Sequence, residues 1–314
     1  MIADTLPTLF QIREAATRIA PYVRRTPTLP LRPTYDTPRG DLMVKLENLQ
    51  HTGSFKPRGA FNKLLSLTPA ERAPGVAAVS GGNHGLGVAY AAKVLGASAR
   101  LFLPRYASPT KQQRIAALGA EIELSERIDE CFLKAAAYCA ATGAAYVHPY
   151  ADPLVLAGQG TVGLEFLEDG GDLDALVVAI GGGGLISGIA IAAAALRPGI
   201  KVYGVEPPGA AAMYRAREAG RPVRLDKLES IAADSLGAPE AAPITLEAVN
   251  RYVTDLILVP DDAILAAQRW LWQEFNTVAE PGGCAALAAY LSGAIPTTGR
   301  IGVLICGGNA EIGL

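Results

Sequence analysis

Four short segments hold residues whose types and spacing can do chemistry. The first is Thr52-Gly53-Ser54-Phe55-Lys56-Pro57-Arg58. Lys56 follows a small polar loop, and Pro57 suits the first turn of a helix. A lysine becomes a useful nucleophile when burial or a neighbouring positive charge lowers its pKa. Taken alone, Lys56 reads as a solvated side chain at a helix start. The second segment is Ser80-Gly81-Gly82-Asn83-His84-Gly85, directly after an apolar run at 76–79. Small residues leading into a helix leave backbone N–H groups free, and with the helix dipole they make a site for a carboxylate. Asn83 adds a side-chain donor there, or else caps the helix. The third is Gly181-Gly182-Gly183-Gly184-Leu185, between an apolar run and a helical pattern. Its backbone can approach a phosphate closely and aim several amides at it. GxGxxG does not fit, because Ile186 or Ser187 falls where the last glycine belongs, and no GK[ST] follows. A tight turn without a ligand is the competing reading, at a backbone-entropy cost with no evident structural return. The fourth is Cys306-Gly307-Gly308-Asn309, after the run 302–305. It sets a small polar side chain at the C-terminal end of a strand, where ligands sit in open α/β sheets. A buried structural thiol is the alternative.

The elements that must position these segments follow from hydrophobic patterning. Short, largely apolar runs at 42–46, 76–79, 99–103, 121–124, 145–147, 175–180, 201–205, 255–259 and 302–305 suit strands buried on both faces of a parallel sheet. Helical patterns are predicted at 83–95, 109–118, 128–141, 157–167, 185–196, 261–274 and 282–291, with Pro109 in a first turn and Gly96 and Gly119 at helix ends. This alternation predicts α/β architecture: two open α/β domains with mainly parallel sheets and a cleft between them. Pro207-Pro208-Gly209 and the stretch 239–243 read as turns or exposed loops.

Composition narrows the function classes. The 314 residues carry a formal charge of −2, half are hydrophobic and 18% are charged. That excludes a disordered chain and argues against a nucleic-acid protein, which carries a basic face for phosphates. The apolar runs are too short to span a bilayer, and no basic region precedes an apolar stretch at the N-terminus, so neither a membrane span nor a signal peptide is expected. Cys131, Cys139, Cys284 and Cys306 form no Cys-x-x-Cys pair, and a reducing cytoplasm is the simpler expectation. His51, His84 and His148 belong to no zinc motif.

Taken in order, the four segments resemble the tryptophan synthase β family of pyridoxal-phosphate (PLP) enzymes, fold type II, and within it the serine/threonine dehydratase and serine racemase branch. The resemblance rests on Glu47-Asn48-Leu49-Gln50 before the Lys56 segment, then on residues 80–85, 108–119 (SPTKQQRIAALG), 157–161 (AGQGT), 181–185, 204–207 (GVEP), 280–282 (EPG) and 306–309. It implies PLP in the cleft between a large, discontinuous cofactor domain (1–68 and 150–314) and a small mobile domain (69–149). It gives Lys56 the Schiff base with PLP and the transfer of the Cα proton, with Phe55 beside the ring and Asn83 on its phenolic oxygen. Ser80, Gly81, Gly82, Asn83 and His84 would hold a substrate carboxylate, Gly181, Gly182, Gly183, Gly184 and Leu185 the cofactor phosphate, and Cys306 would face the pyridine nitrogen, with Glu280 also on the cofactor side. A neutral group at Cys306 would leave the ring a weaker electron sink than a carboxylate does and favour loss of a β-substituent. The implied activity is α,β-elimination from a β-hydroxy amino acid, L-threonine or L-serine first, to a 2-oxo acid and ammonia, by a cytoplasmic homodimer with no nucleic-acid or membrane partner. The alternatives are a hydroxyaspartate ammonia-lyase, a serine racemase, another β-elimination or β-replacement enzyme, or a non-catalytic phosphate-binding protein.

Several positions depart from the family pattern. Gly81 stands where serine racemases carry a serine base, so racemisation by that route is not expected. Glu206 is retained from an acidic metal site, but Ala212 stands at its second acidic position, and the site is read as weakened. Tyr150 replaces Phe or Asn; its hydroxyl would read a polar substrate group or find a structural partner. Ser235 replaces a glycine after Asp234.

Overall fold

The computed structural model describes residues 5–31 and 41–310. Its strands are β1 (Thr28–Leu31), β2 (Leu42–Leu46), β3 (Val76–Val79), β4 (Ala99–Pro104), β5 (Glu121–Ser125), β6 (Ala145–Tyr146), β7 (Ala175–Ala179), β8 (Lys201–Glu206), β9 (Asp255–Leu258) and β10 (Ile301–Ile305). They form two sheets, β1-β2-β10-β7-β8-β9 and β5-β4-β3-β6. Every pairing is parallel except that of the edge strand β1 with β2. In the larger sheet Leu29, Val44, Val303, Val177 and Tyr203 lie side by side across five strands. The central strands β2, β7 and β10 are buried at every residue, as expected of strands covered by helices on both faces. The fold is therefore mixed α/β with mainly parallel sheets, as the patterning predicts.

Three features depart from that expectation. Strand β1 was not among the predicted runs, because its TLPL sequence buries only Leu31 and contains Pro30, which is tolerated at an edge. The helix predicted from 157 begins at Pro153, since Asp152 accepts from the amides of Leu154 at 2.8 Å and Val155 at 3.4 Å. The stretch 239–243 is not a plain exposed loop: Pro243 opens the helix Pro243–Tyr252, and Ala241 is buried.

One polar residue lies inside a fully buried strand. Lys45 of β2 donates to the Thr26 carbonyl at 2.8 Å and pairs with Glu165 at 2.7 Å. Burial pulls the Lys45 ammonium below its usual pKa, and Glu165 opposes that shift. Glu165 also pairs with Arg58, which is fully buried in the helix Lys56–Ser66 and forks onto both oxygens of Glu47 at 2.7 and 2.8 Å. Thr161 and the Arg24 carbonyl take further Arg58 N–H groups, and Thr26 donates to Glu47 at 2.5 Å. The cluster joins β2, the helix that starts at Lys56 and the helix Pro153–Asp169.

Removing one member of a buried, satisfied charge cluster strands the others. Arg58→Met is expected to lower unfolding stability by about 3–5 kcal/mol, measured by urea denaturation. A loss below about 1 kcal/mol would show that the cluster does not hold the helix.

Candidate active site

The loop before Lys56 runs antiparallel to the segment after β10. Ser54 bridges Gly307, the Phe55 amide donates to the Cys306 carbonyl at 3.3 Å, and the Gly308 amide to the Gly53 carbonyl at 2.8 Å. The first and fourth chemical segments, some 250 residues apart in sequence, thereby become neighbours. The Glu280 amide in turn donates to the Gly307 carbonyl at 3.1 Å. Phe55, Lys56, Asn83, Tyr150, Glu280, Cys306 and residues 181–185 line one pocket. Ala179, Ile186, Ser235 and Leu236 complete its wall.

Lys56 Nζ donates to the Pro149 carbonyl at 3.0 Å and lies 5.1 Å from the centre of the Phe55 ring. Among the described residues no carboxylate forms an ion pair with it. Burial pulls its pKa down to about 8, against a weaker upward pull from Cys306 and Glu280. The same burial pushes the Cys306 thiol up to about 12, with Glu280 adding to the shift. Cys306 is thus neutral near pH 7, and its Sγ contacts the Gly282 carbonyl at 3.6 Å. Glu280 is raised to about 6, again mainly by burial, with Lys111 opposing.

The glycine run turns into the helix Gly184–Leu196. Gly183 has φ 89°, the left-handed region that favours glycine. Ser187 N–H to the Gly183 carbonyl, at 3.0 Å, spans the first turn, and the amides before it point out of the helix end. A Cβ on Gly182 would overlap the Tyr150 ring. The Tyr150 hydroxyl donates to the Glu240 carbonyl at 3.0 Å, so it has a structural partner while its ring lines the pocket. His148 Nδ1 accepts from the amides of Tyr150 at 3.2 Å and Ala151 at 2.7 Å, and thereby shapes this turn.

The second segment is only partly as expected. Asn83 is the first residue of the helix Asn83–Val94 and does not cap it; its amide bonds to Glu280 and Asn309. His84 is buried and bonded to the backbone. Its Nε2 bonds to the Val147 carbonyl at 2.9 Å, and burial, reinforced by Lys56, pulls its pKa down to about 3. What Ser80, Gly81, Gly82, Asn83 and His84 offer an anion is therefore the helix-start backbone, with the Ser80 hydroxyl accepting from Gly82 N–H at 3.2 Å. Glu206 is engaged elsewhere: its oxygens accept the amides of Met213 at 3.0 Å and Tyr214 at 2.7 Å, and burial raises its pKa to about 8. That carboxylate binds the start of the helix Ala212–Ala219.

Sequence reasoning missed three contributors. Lys111 is buried beside the site, paired with Asp234 and 4.0 Å from Glu280. Asn309 joins Asn83 to Thr52 and Arg114. Ser235 was noted only as a departure, yet it lines the pocket. Lys111 and Asn309 lay inside quoted motifs, but only their distant partners reveal what they do.

Residues 19–307 match the family of pyridoxal-phosphate dependent enzymes, and the chain belongs to that family. It is 38% identical over 98% of its length to the L-threonine ammonia-lyase of Thermotoga maritima, covering 77% of that protein. It is 40% identical to the phenylserine dehydratase of Ralstonia pickettii, over 98% of this chain and 94% of that one. Maize serine racemase has the same fold, with a TM-score of 0.92, 35% identity and coverage of 98% and 95%.

The residues present fit pyridoxal phosphate. A half-buried amine without a salt-bridge partner among the described residues lines the same pocket as a glycine turn at a helix start, which suits a phosphate. Glu280 Oε2 and Ser54 Oγ are buried without hydrogen-bond partners nearby in the chain.

Only the unprotonated amine attacks an aldehyde. Capture of pyridoxal phosphate by the apoenzyme should therefore speed up with rising pH and level off above about 8. Stopped-flow absorption would follow it; a rise continuing to the ordinary lysine range would contradict the burial argument.

Proposed function

We propose that this protein catalyses α,β-elimination of a β-hydroxy amino acid, L-threonine or L-serine, to a 2-oxo acid and ammonia. The observation that carries the reading is that one pocket is lined together by Lys56, Cys306 and the glycine turn 181–184, with burial lowering the pKa of the amine and raising that of the thiol. The cofactor, when bound, withdraws electrons from Cα and so acidifies its C–H bond. Lys56 Nζ, whose unprotonated fraction at neutral pH is minor but far above that of an ordinary lysine, takes that proton. The backbone amides at the start of the helix Asn83–Val94 orient the substrate carboxylate. A neutral Cys306 facing the cofactor's ring nitrogen would give it no negative charge, which would favour loss of the β-hydroxyl over return of the proton. Loss of water, its return and release of ammonia convert threonine into 2-oxobutanoate with all atoms accounted for.

Asn83, Glu280, Gly181, Gly182, Gly183, Gly184, Leu185 and Phe55 hold the cofactor in this reading. Residues 69–149, which contain the smaller sheet, act as a mobile domain over the larger unit of 1–68 and 150–314. A homodimer follows the family resemblance. The unpaired cysteines agree with a cytoplasmic enzyme, and no helix among the described residues is long and apolar enough to cross a membrane. A second reading, elimination from a bulkier hydroxy amino acid, draws support from the 40% identity to a phenylserine dehydratase.

A product panel separates these readings. L-threonine should yield 2-oxobutanoate, read by mass spectrometry, and Lys56→Ala should abolish it. Turnover of phenylserine alone would favour the second reading, and full activity in Lys56→Ala would remove the base. A serine is not readily accommodated at position 81, because a Cβ on Gly81 would overlap the Ala107 methyl. Gly81→Ser alone should therefore gain little racemase activity, while Gly81→Ser with Ala107→Gly should gain more, measured by chiral chromatography. Strong racemisation by the unmodified enzyme would contradict this.

A further inference from the structure

The side-chain amide of Asn83 can be inserted in two orientations that exchange its oxygen and nitrogen, and its neighbours permit only one. The Glu280 carboxylate accepts hydrogen bonds, so Asn83 turns Nδ2 toward it. On the other side Asn309 Nδ2 donates to Asn83 Oδ1 at 2.7 Å. Asn309 is itself fixed from outside. Arg114 Nη1, which can only donate, holds its Oδ1 at 2.7 Å. The Thr52 carbonyl, which can only accept, takes its Nδ2 at 2.8 Å. Donation therefore runs in one direction, from Arg114 through Asn309 and Asn83 to Glu280. Flipping Asn83 would set two NH2 groups against each other and a carbonyl against a carboxylate.

The Thr52 contact has its own interest. Thr52 lies at φ 62°, ψ 8°, a region that β-branched residues rarely enter. Such strain persists where surrounding contacts hold it, and it clusters at functional sites. Asn309 holds this carbonyl four residues before Lys56 while also gripping Asn83, so one side chain ties two pocket walls together. The side chain is wedged in place, since a Cβ on Gly53 would meet its Oδ1 at 2.6 Å.

We propose that Asn309, polarised by Arg114, is a positioning residue that fixes the Asn83 amide with one N–H on Glu280 and the other presented to the cofactor. This rests on the reading of Asn83 as a donor to the cofactor ring. The helix Pro109–Ala117, which carries Arg114, is thereby linked to the cofactor's hydrogen bonding through two side chains.

The test compares full-length Asn309→Ala, Arg114→Met and Asn83→Ala with the unmodified protein. Each apoenzyme is titrated with pyridoxal phosphate, and both the Kd and the visible absorption maximum of the bound cofactor are read across pH. Asn309→Ala should move the maximum in the same direction as Asn83→Ala and weaken Kd by roughly 3- to 10-fold. Adding Asn309→Ala to Asn83→Ala should shift it no further. Arg114 is exposed, so Arg114→Met should fold normally and give a smaller shift of the same sign, and it carries the test if Asn309→Ala does not fold. An absorption maximum that moves in Asn83→Ala but stays at its original position in both other variants would overturn the proposal and leave the role of Asn83 intact. No shift in Asn83→Ala would overturn the role of Asn83, and the proposal with it.

Discussion

The Arg58 guanidinium, buried between Glu47 and Glu165, is the constraint on which the site depends. Charges so placed are costly to desolvate, and they are tolerated only where geometry and additional hydrogen bonds satisfy every partner. Here Lys45, Thr26, Thr161 and the Arg24 carbonyl complete the set. Arg58 is two residues beyond Lys56 on the same helix. Fixing its fork geometry therefore fixes the helix axis and rotation at the point from which the reactive amine leaves the backbone. Apolar packing, being non-directional, would hold that helix down without setting its register so narrowly.

A second constraint is the pairing of residues 53–55 with 306–308. It places an amine and a thiol on one pocket, where burial pushes their pKa values in opposite directions. Both shifts favour the neutral forms, as desolvation requires. The pocket thus holds an amine of lowered pKa beside a neutral thiol, and no metal-ligand cluster occurs among the described residues. Glu280, raised to about 6, remains largely ionised at neutral pH and anchors the directional chain through Asn83.

Much of this was legible in the sequence, and the reasons are physical. Runs such as ALVVA and IGVLI are short and apolar at consecutive positions, as suits a strand covered on both faces. The glycine run and the Lys56 loop announce themselves by composition. Strand β1 carried no such signal, because an edge strand with one buried residue looks like a loop. The side-chain orientations of His84 and Tyr150 and the use of Glu206 were not legible, because each is decided by a backbone group distant in sequence: the Val147 carbonyl, the Glu240 carbonyl, and the amides of residues 213 and 214. Lys111 and Asn309 were hidden for the same reason.

The order of strands in the larger sheet bears on how the molecule is born. β10, formed by residues 301–305, lies between β2 and β7, so the sheet has a gap at its middle until Ile305 has left the ribosome. The smaller sheet draws only on residues 76–146 and can close much earlier. Contacts of such long sequence separation form slowly and leave apolar edges uncovered meanwhile. Insertion of β10 also delivers Cys306 to Lys56. A nascent chain therefore brings Cys306 beside the Lys56 loop in the same event that completes its larger sheet.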